Sequence, residues 1–283
     1  MARRLAKKGN EVILMQRLAR IAVLSITIAL LSVQGARAQG QSSSNGVPEL
    51  PALSEECGTP NSNTVELAPL PSTMKMIKER KSIKILAIGS PTIQTGASGW
   101  DFQSTLERSL EGAIKGLKVE VINRGVSGEL ARDAAIRLTN EVALIGPDLV
   151  IWQVGTSDAL ARVPSDEFEE TLRDTIRWLK RRNVDVVLVG AKYSRPISKD
   201  DRYQAVRFSV FRVAAQENVM RISQYRAMEA MVKASGSNPV DAYQLSEDAY
   251  PCVAQFVARA VVATVFESKP QPALPVPPAP PLR

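Results

Sequence analysis

Four short runs along the chain are mostly apolar, and each is bounded by glycine, proline, asparagine or charge. They are "IKILAIG" (83–89), "VEVIN" (119–123), "DLVIWQVG" (148–155) and "VDVVLVGA" (184–191). Runs of this length, rich in β-branched residues and with little polar alternation, predict strands buried on both faces, as in a parallel sheet. A shorter run, "NVMRIS" (218–223), predicts a fifth strand. Helical patterns fill the gaps. In "SDEFEETLRDTIRWLKRRN" (165–183), Phe168, Leu172, Ile176 and Leu179 form one stripe at helical spacing. Acids open that segment and bases close it, as the helix dipole favours. Strands alternating with helices imply right-handed crossovers and a three-layer α/β/α sandwich, flavodoxin-like, with about five parallel strands. In such a sheet, sites form outside the carboxyl ends of the strands. Four loops therefore matter: those after Gly89, Asn123, Gly155 and Ala191.

The two ends of the chain depart from this pattern. Residues 1–38 carry seven of the 36 basic residues and one of the 29 acids, followed by the apolar "IAVLSITIALLSV" (21–33) and the small-x-small "ARA" (36–38). That order predicts a secretory signal cleaved before Gln39, with an uncleaved anchor as the alternative. Thirteen apolar residues fall short of the roughly 20 of a membrane span, so no stable span is expected once the signal is removed. The basic lead-in also leaves open a start at Met15 instead of Met1. Without the signal, 29 basic residues face 28 acids, which gives no electrostatic footprint for nucleic acid. Residues 39–80 predict a linker and N-terminal strap, 81–267 the folded domain, and the proline-rich 268–283 an extended tail. Export to the periplasm or beyond favours pairing the two cysteines, Cys57 and Cys252, over two buried free thiols.

The order of the loops resembles the SGNH/GDSL hydrolase family, in particular its secreted bacterial members. "KILAIGSPTIQTGAS" resembles the first block, "VEVINRGVSGE" the second, "PDLVIWQVGTSDAL" the third and "DAYQLSEDAYPCVAQFVARAV" the last. The resemblance implies ester hydrolysis by a serine, a histidine that takes its proton, an aspartate that orients the histidine, and glycine and asparagine donors to the oxyanion. Gly89, Gly128 and Asp241 match their family positions. The nucleophile position holds Pro91, the asparagine position Ser157 and the histidine position Gln244, in a chain with no histidine at all. Proline has no attacking oxygen, and an amide takes no proton near neutral pH.

These substitutions predict an SGNH-like protein that binds a saccharide, an envelope polymer or a protein partner without catalysis. Ligand contacts are expected from Trp100, Ser157 and Gln244, while Trp152 belongs to the core. Two other readings stand beside it. One is an active acyl- or acetyl-ester hydrolase using Ser90, helped by Asp241, Asp158, Glu129 or Lys192, since a serine–lysine pair is a working chemical solution. The other is an envelope scaffold with the cleft vestigial. A register placing Tyr250 at the base position supplies only a phenol, too weak a base at neutral pH. No cofactor is expected. Without imidazole the metal candidates reduce to carboxylates around Asp158 or Asp241, which form no dense cluster in the sequence. Protein recovered from an exported fraction should begin near Gln39; N-terminal sequencing that finds the leader intact would replace cleavage by an anchor.

Overall fold

The structure, a computed structural model, describes residues 49–57, 64–89, 101–234 and 242–266, and for 242–250 the backbone alone. All of these belong to one of the chain's two units, Val47–Arg283. Six strands form a single sheet: β1 (Val65–Glu66), β2 (Ser82–Gly89), β3 (Lys118–Gly125), β4 (Leu149–Gln153), β5 (Asp185–Val189) and β6 (Met220–Ile222). Their order across the sheet is β1-β6-β5-β4-β2-β3. The five strands expected from the apolar runs are mutually parallel. The sixth, β1, comes from the strap and pairs antiparallel with β6.

Helices cover both faces. On one lie α1 (Pro71–Arg80), α2 (Phe102–Ala113) and the long C-terminal α8 (Ala242–Phe266). On the other lie α3 (Ala131–Ile145), α5 (Ser165–Lys180) and α6 (Asp201–Gln216). Two shorter helices, α4 (Thr156–Leu160) and α7 (Gln224–Ala234), follow β4 and β6. The period-two rule of strands assigns each buried residue to a face. Ile85 and Ala87 of β2 pack with Phe102, Leu106 and Leu110 of α2, while Leu86 and Ile88 pack with Leu138 of α3. Trp152 lies fully buried in the second layer, as expected of a core residue. The stripe Phe168, Leu172, Ile176 and Leu179 is buried beside it. No helix among the described residues is long and apolar enough to cross a membrane.

Among the parallel strands the chain visits β2 first, then β3 on one side, then β4 on the other. The loop after β2 leads to α2 on one face, and the loop after β4 leads towards α5 on the opposite face. Adjacent strands whose exits diverge leave a crevice at their carboxyl ends. Gly89 ends β2 there with φ of +113°, and a Cβ on it would lie 2.1 Å from the Gln153 carbonyl oxygen of β4. Only glycine permits both that backbone and that approach.

The strap is tied to α8. Cys57, in a short turn at Glu55–Cys57, forms a disulfide with Cys252. Beside it the Ser54 amide donates to Gln255 Oε1 at 2.9 Å, and Arg259 Nη1 donates to the Pro51 carbonyl at 2.6 Å. The bridge links residues 195 apart in sequence. Restricting so long a loop in the unfolded chain is worth up to about 5 kcal/mol in the chain-entropy model. Thiol titration of the denatured, unreduced protein should find no free thiol, and Cys252→Ser should lower the unfolding free energy obtained from urea titration by an amount approaching that figure.

Candidate functional site

Three loops meet at the crevice. After β3 the chain turns at once: the Gly125 amide donates to Asn123 Oδ1 at 2.9 Å, and the Val126 amide donates to the Gly89 carbonyl at 2.7 Å. That second bond seats the loop against the end of β2. Gly128 follows with φ of +73°, and a Cβ there would meet nothing within 4 Å. The residue is exposed at a turn with a left-handed backbone, at the position to which the SGNH/GDSL resemblance assigns an oxyanion amide.

After β4, Gly155 also takes positive φ, +99°, and opens α4. The next residues, Thr156, Ser157 and Asp158, form its first turn. The Asp158 carboxylate is almost wholly buried and accepts two amides: Ala131 on Oδ1 at 2.8 Å and Gly155 on Oδ2 at 3.2 Å. One side chain thereby joins the start of the third-block helix to the start of α3, which carries the Gly128 turn at its approach. Ser157, half-buried, lies beside Asp158 in the same turn. Burial raises the Asp158 pKa above the usual carboxylate value, and the two amides oppose the rise without cancelling it.

The loop after β5 packs onto the same helix start. The Lys192 amide donates to Thr156 Oγ1 at 3.1 Å, and the Tyr203 hydroxyl donates to the Lys192 carbonyl. Burial pushes the Tyr203 phenol up to about 12, so it stays a donor at neutral pH. Lys192 is itself half-buried, and burial lowers its pKa. Further along, Gln153 Nε2 donates to Gln224 Oε1 at 2.6 Å, joining β4 to α7 beneath the loops.

The sequence-derived candidates fall into three groups. Gly128, Ser157 and Lys192 are brought to one edge by the interactions just given. Ser90, Pro91, Trp100 and Asp241 lie outside the described residues. Gln244 lies in the first turns of α8, and Tyr250 in the same helix, where only the backbone is described. Two helpers weighed for Ser90 are otherwise engaged. Asp158 is committed to amides. Glu129 is held by Arg137, whose Nε and Nη2 donate to its two oxygens at 2.8 Å each. Among the described residues no three acids or cysteines converge as a metal site would require. The bridging role of Asp158 was missed, although an acid three residues after Gly155 is a capping signature visible in "GTSD".

Residues 56–267 match the Non-GDSL lipase-like family. An arylesterase of Vibrio mimicus is 24% identical over 147 residues, which are 52% of this chain and 72% of that protein. Among solved structures, the lipase/acylhydrolase of Enterococcus faecalis superposes with a TM-score of 0.54 at 24% identity, over 68% of this chain and 100% of that one. A catalytic mutant of an acetylxylan esterase from Geobacillus stearothermophilus gives 0.53 at 21%, over 65% and 94%. At these identities the structures establish a shared fold.

Asp158→Ala leaves two buried amides without an acceptor, which should cost about 3 kcal/mol at neutral pH. Because the folded pKa is raised, the folded protein keeps the proton longer than the unfolded chain does. This carboxyl therefore makes stability fall as pH rises from the usual carboxylate value through the raised one. Urea titrations across that range should show the slope in the parent and its loss in the variant.

Proposed function

Because the chain belongs to the Non-GDSL lipase-like family, we propose that its crevice takes acyl or acetyl esters, and that it does so after export, on a saccharide or envelope polymer. The observation that carries this is the Asp158 bridge, which ties the first turn of α4, where Ser157 lies, to the start of α3, three residues after Gly128. A carbonyl oxygen seated there meets the oxyanion half of an esterase site. The proton-transfer half is altered in the sequence: Pro91 stands at the nucleophile position and Gln244 at the base. On this reading the protein binds the ester and does not turn it over by the family route.

A second reading is active hydrolysis from Ser90, and the relatives support it better than the first. The arylesterase, the acylhydrolase and the acetylxylan esterase are all named for cleaving esters. Within the site, Lys192 gives this reading its chemistry. A half-buried amine with a lowered pKa, on the loop bonded to Thr156, is nearer to a usable base than an ordinary lysine.

Kinetics on p-nitrophenyl acetate decides between them. Binding without turnover is expected: no saturable hydrolysis above buffer, and no gain from Pro91→Ser alone. The triple variant Pro91→Ser, Ser157→Asn, Gln244→His should gain activity, since one oxyanion donor alone is worth about 3 kcal/mol. Saturable hydrolysis by the parent, abolished in both Ser90→Ala and Lys192→Met, would establish the second reading instead.

A further inference from the structure

A cavity of about 340 Å³ opens at the carboxyl ends of β5 and β6, beside the edge strand β1. Gly190 and Ala191 form part of its lining, and three arginines converge on it: Arg207, Arg221 and Arg226. Two of the three are neutralised. Arg221 grips both oxygens of Glu66, with Nε to Oε2 at 2.6 Å, and Arg226 Nη1 meets Glu229 at 2.9 Å. Arg207 has no carboxylate partner among the described residues. Its guanidinium lies 3.2 Å from the centroid of the Tyr225 ring, and its Nη1 donates to Gln204 Oε1.

That arrangement departs from the rest of the chain. Arg137, Arg173 and Arg212 are each about one-quarter to one-third exposed, and each meets a glutamate. Arg207 lines the cavity and stacks closely on Tyr225 without a carboxylate partner among the described residues, whereas Arg212, 5.6 Å from the Phe208 centroid, is also held by Glu169. Burial lowers the pKa of Arg207, with Arg226 adding to the drop and Tyr225, Tyr203 and Glu229 opposing it, yet an arginine stays protonated at neutral pH. Stacking fixes the plane of the guanidinium, the geometry that suits two parallel bonds to a carboxylate or phosphate. Ser223 adds a hydroxyl to the lining, while Phe208 and Phe211 make part of it apolar.

We propose that this cavity is an oxyanion-binding site, in which the Arg207 guanidinium holds a carboxylate or phosphate group and Phe208 and Phe211 receive the ligand's apolar remainder. The lining includes none of Gly128, Ser157 and Lys192, although Ala191 adjoins Lys192, and occupancy of the cavity requires no ester chemistry. A strut that merely joins α6 to α7 would use the same stacking and bind nothing.

Calorimetric titration of the full chain at low ionic strength, with sodium benzoate and with inorganic phosphate, separates these roles. At least one anion should bind with a millimolar or tighter Kd, benzoate alone marking a carboxylate with an apolar body and phosphate alone a phosphoryl group. Arg207→Met should weaken that binding by roughly tenfold or more. Arg207→Lys, which keeps the charge and loses the fork, should fall between. Arg177→Ala, which removes a surface arginine paired with Glu217, should leave binding unchanged. Circular dichroism verifies that each variant is folded, and Arg207→Lys serves if Arg207→Met is not. Absence of binding of either anion to the parent overturns the proposal, as does equal affinity in the folded Arg207 variants.

Discussion

The approach of β2 to β4 at Gly89 is the contact from which the site edge of the molecule is organised. A side chain at that position would overlap the Gln153 carbonyl, so the two strands can end side by side only because one of them ends in glycine. From that point the Gly89 carbonyl receives the Val126 amide, which seats the loop carrying Gly128. Two residues beyond Gln153, Gly155 turns the chain into the helix whose Asp158 reaches across to Ala131. The crevice therefore stands on two glycine geometries and one buried carboxylate, none of which depends on the identity of a nucleophile or a base.

That independence means that packing and backbone geometry alone set the described framework of the strand ends. Stability resides in the sheet, buried on both faces, and in the bridge between the second and third loops. Pro91, Ser157 and Gln244 stand where the SGNH/GDSL resemblance implies serine, asparagine and histidine.

The strands that run through the core were legible because burial on both faces leaves a signal in every consecutive residue. The stripe of α5 was legible for the same reason at helical spacing. Strand β1 was not: two residues, Val65 and Glu66, carry no periodicity, and they pair with β6 where Glu66 also reaches Arg221. At the site, Gly128 and the Gly155 turn were visible as loop glycines at strand ends. The commitment of Glu129 to Arg137, and the lack of a carboxylate at Arg207, were not, because a partner across space leaves no trace in local sequence. The cysteine pair was legible from compartment and count; the strap that it fastens became a sheet edge only in three dimensions.

The disulfide has a mechanical consequence. Cys57 lies close to the first described residue and Cys252 lies within the last helix, so the bond closes almost the whole sheet into a covalent ring. Tension applied through the two ends of the chain passes from the strap across that bond and along the final turns of α8, and the strands between are bypassed. The sheet would feel such a pull only after the sulfur–sulfur bond had been reduced. While that bond holds, a pull on the two ends of the chain leaves the crevice between them undistorted.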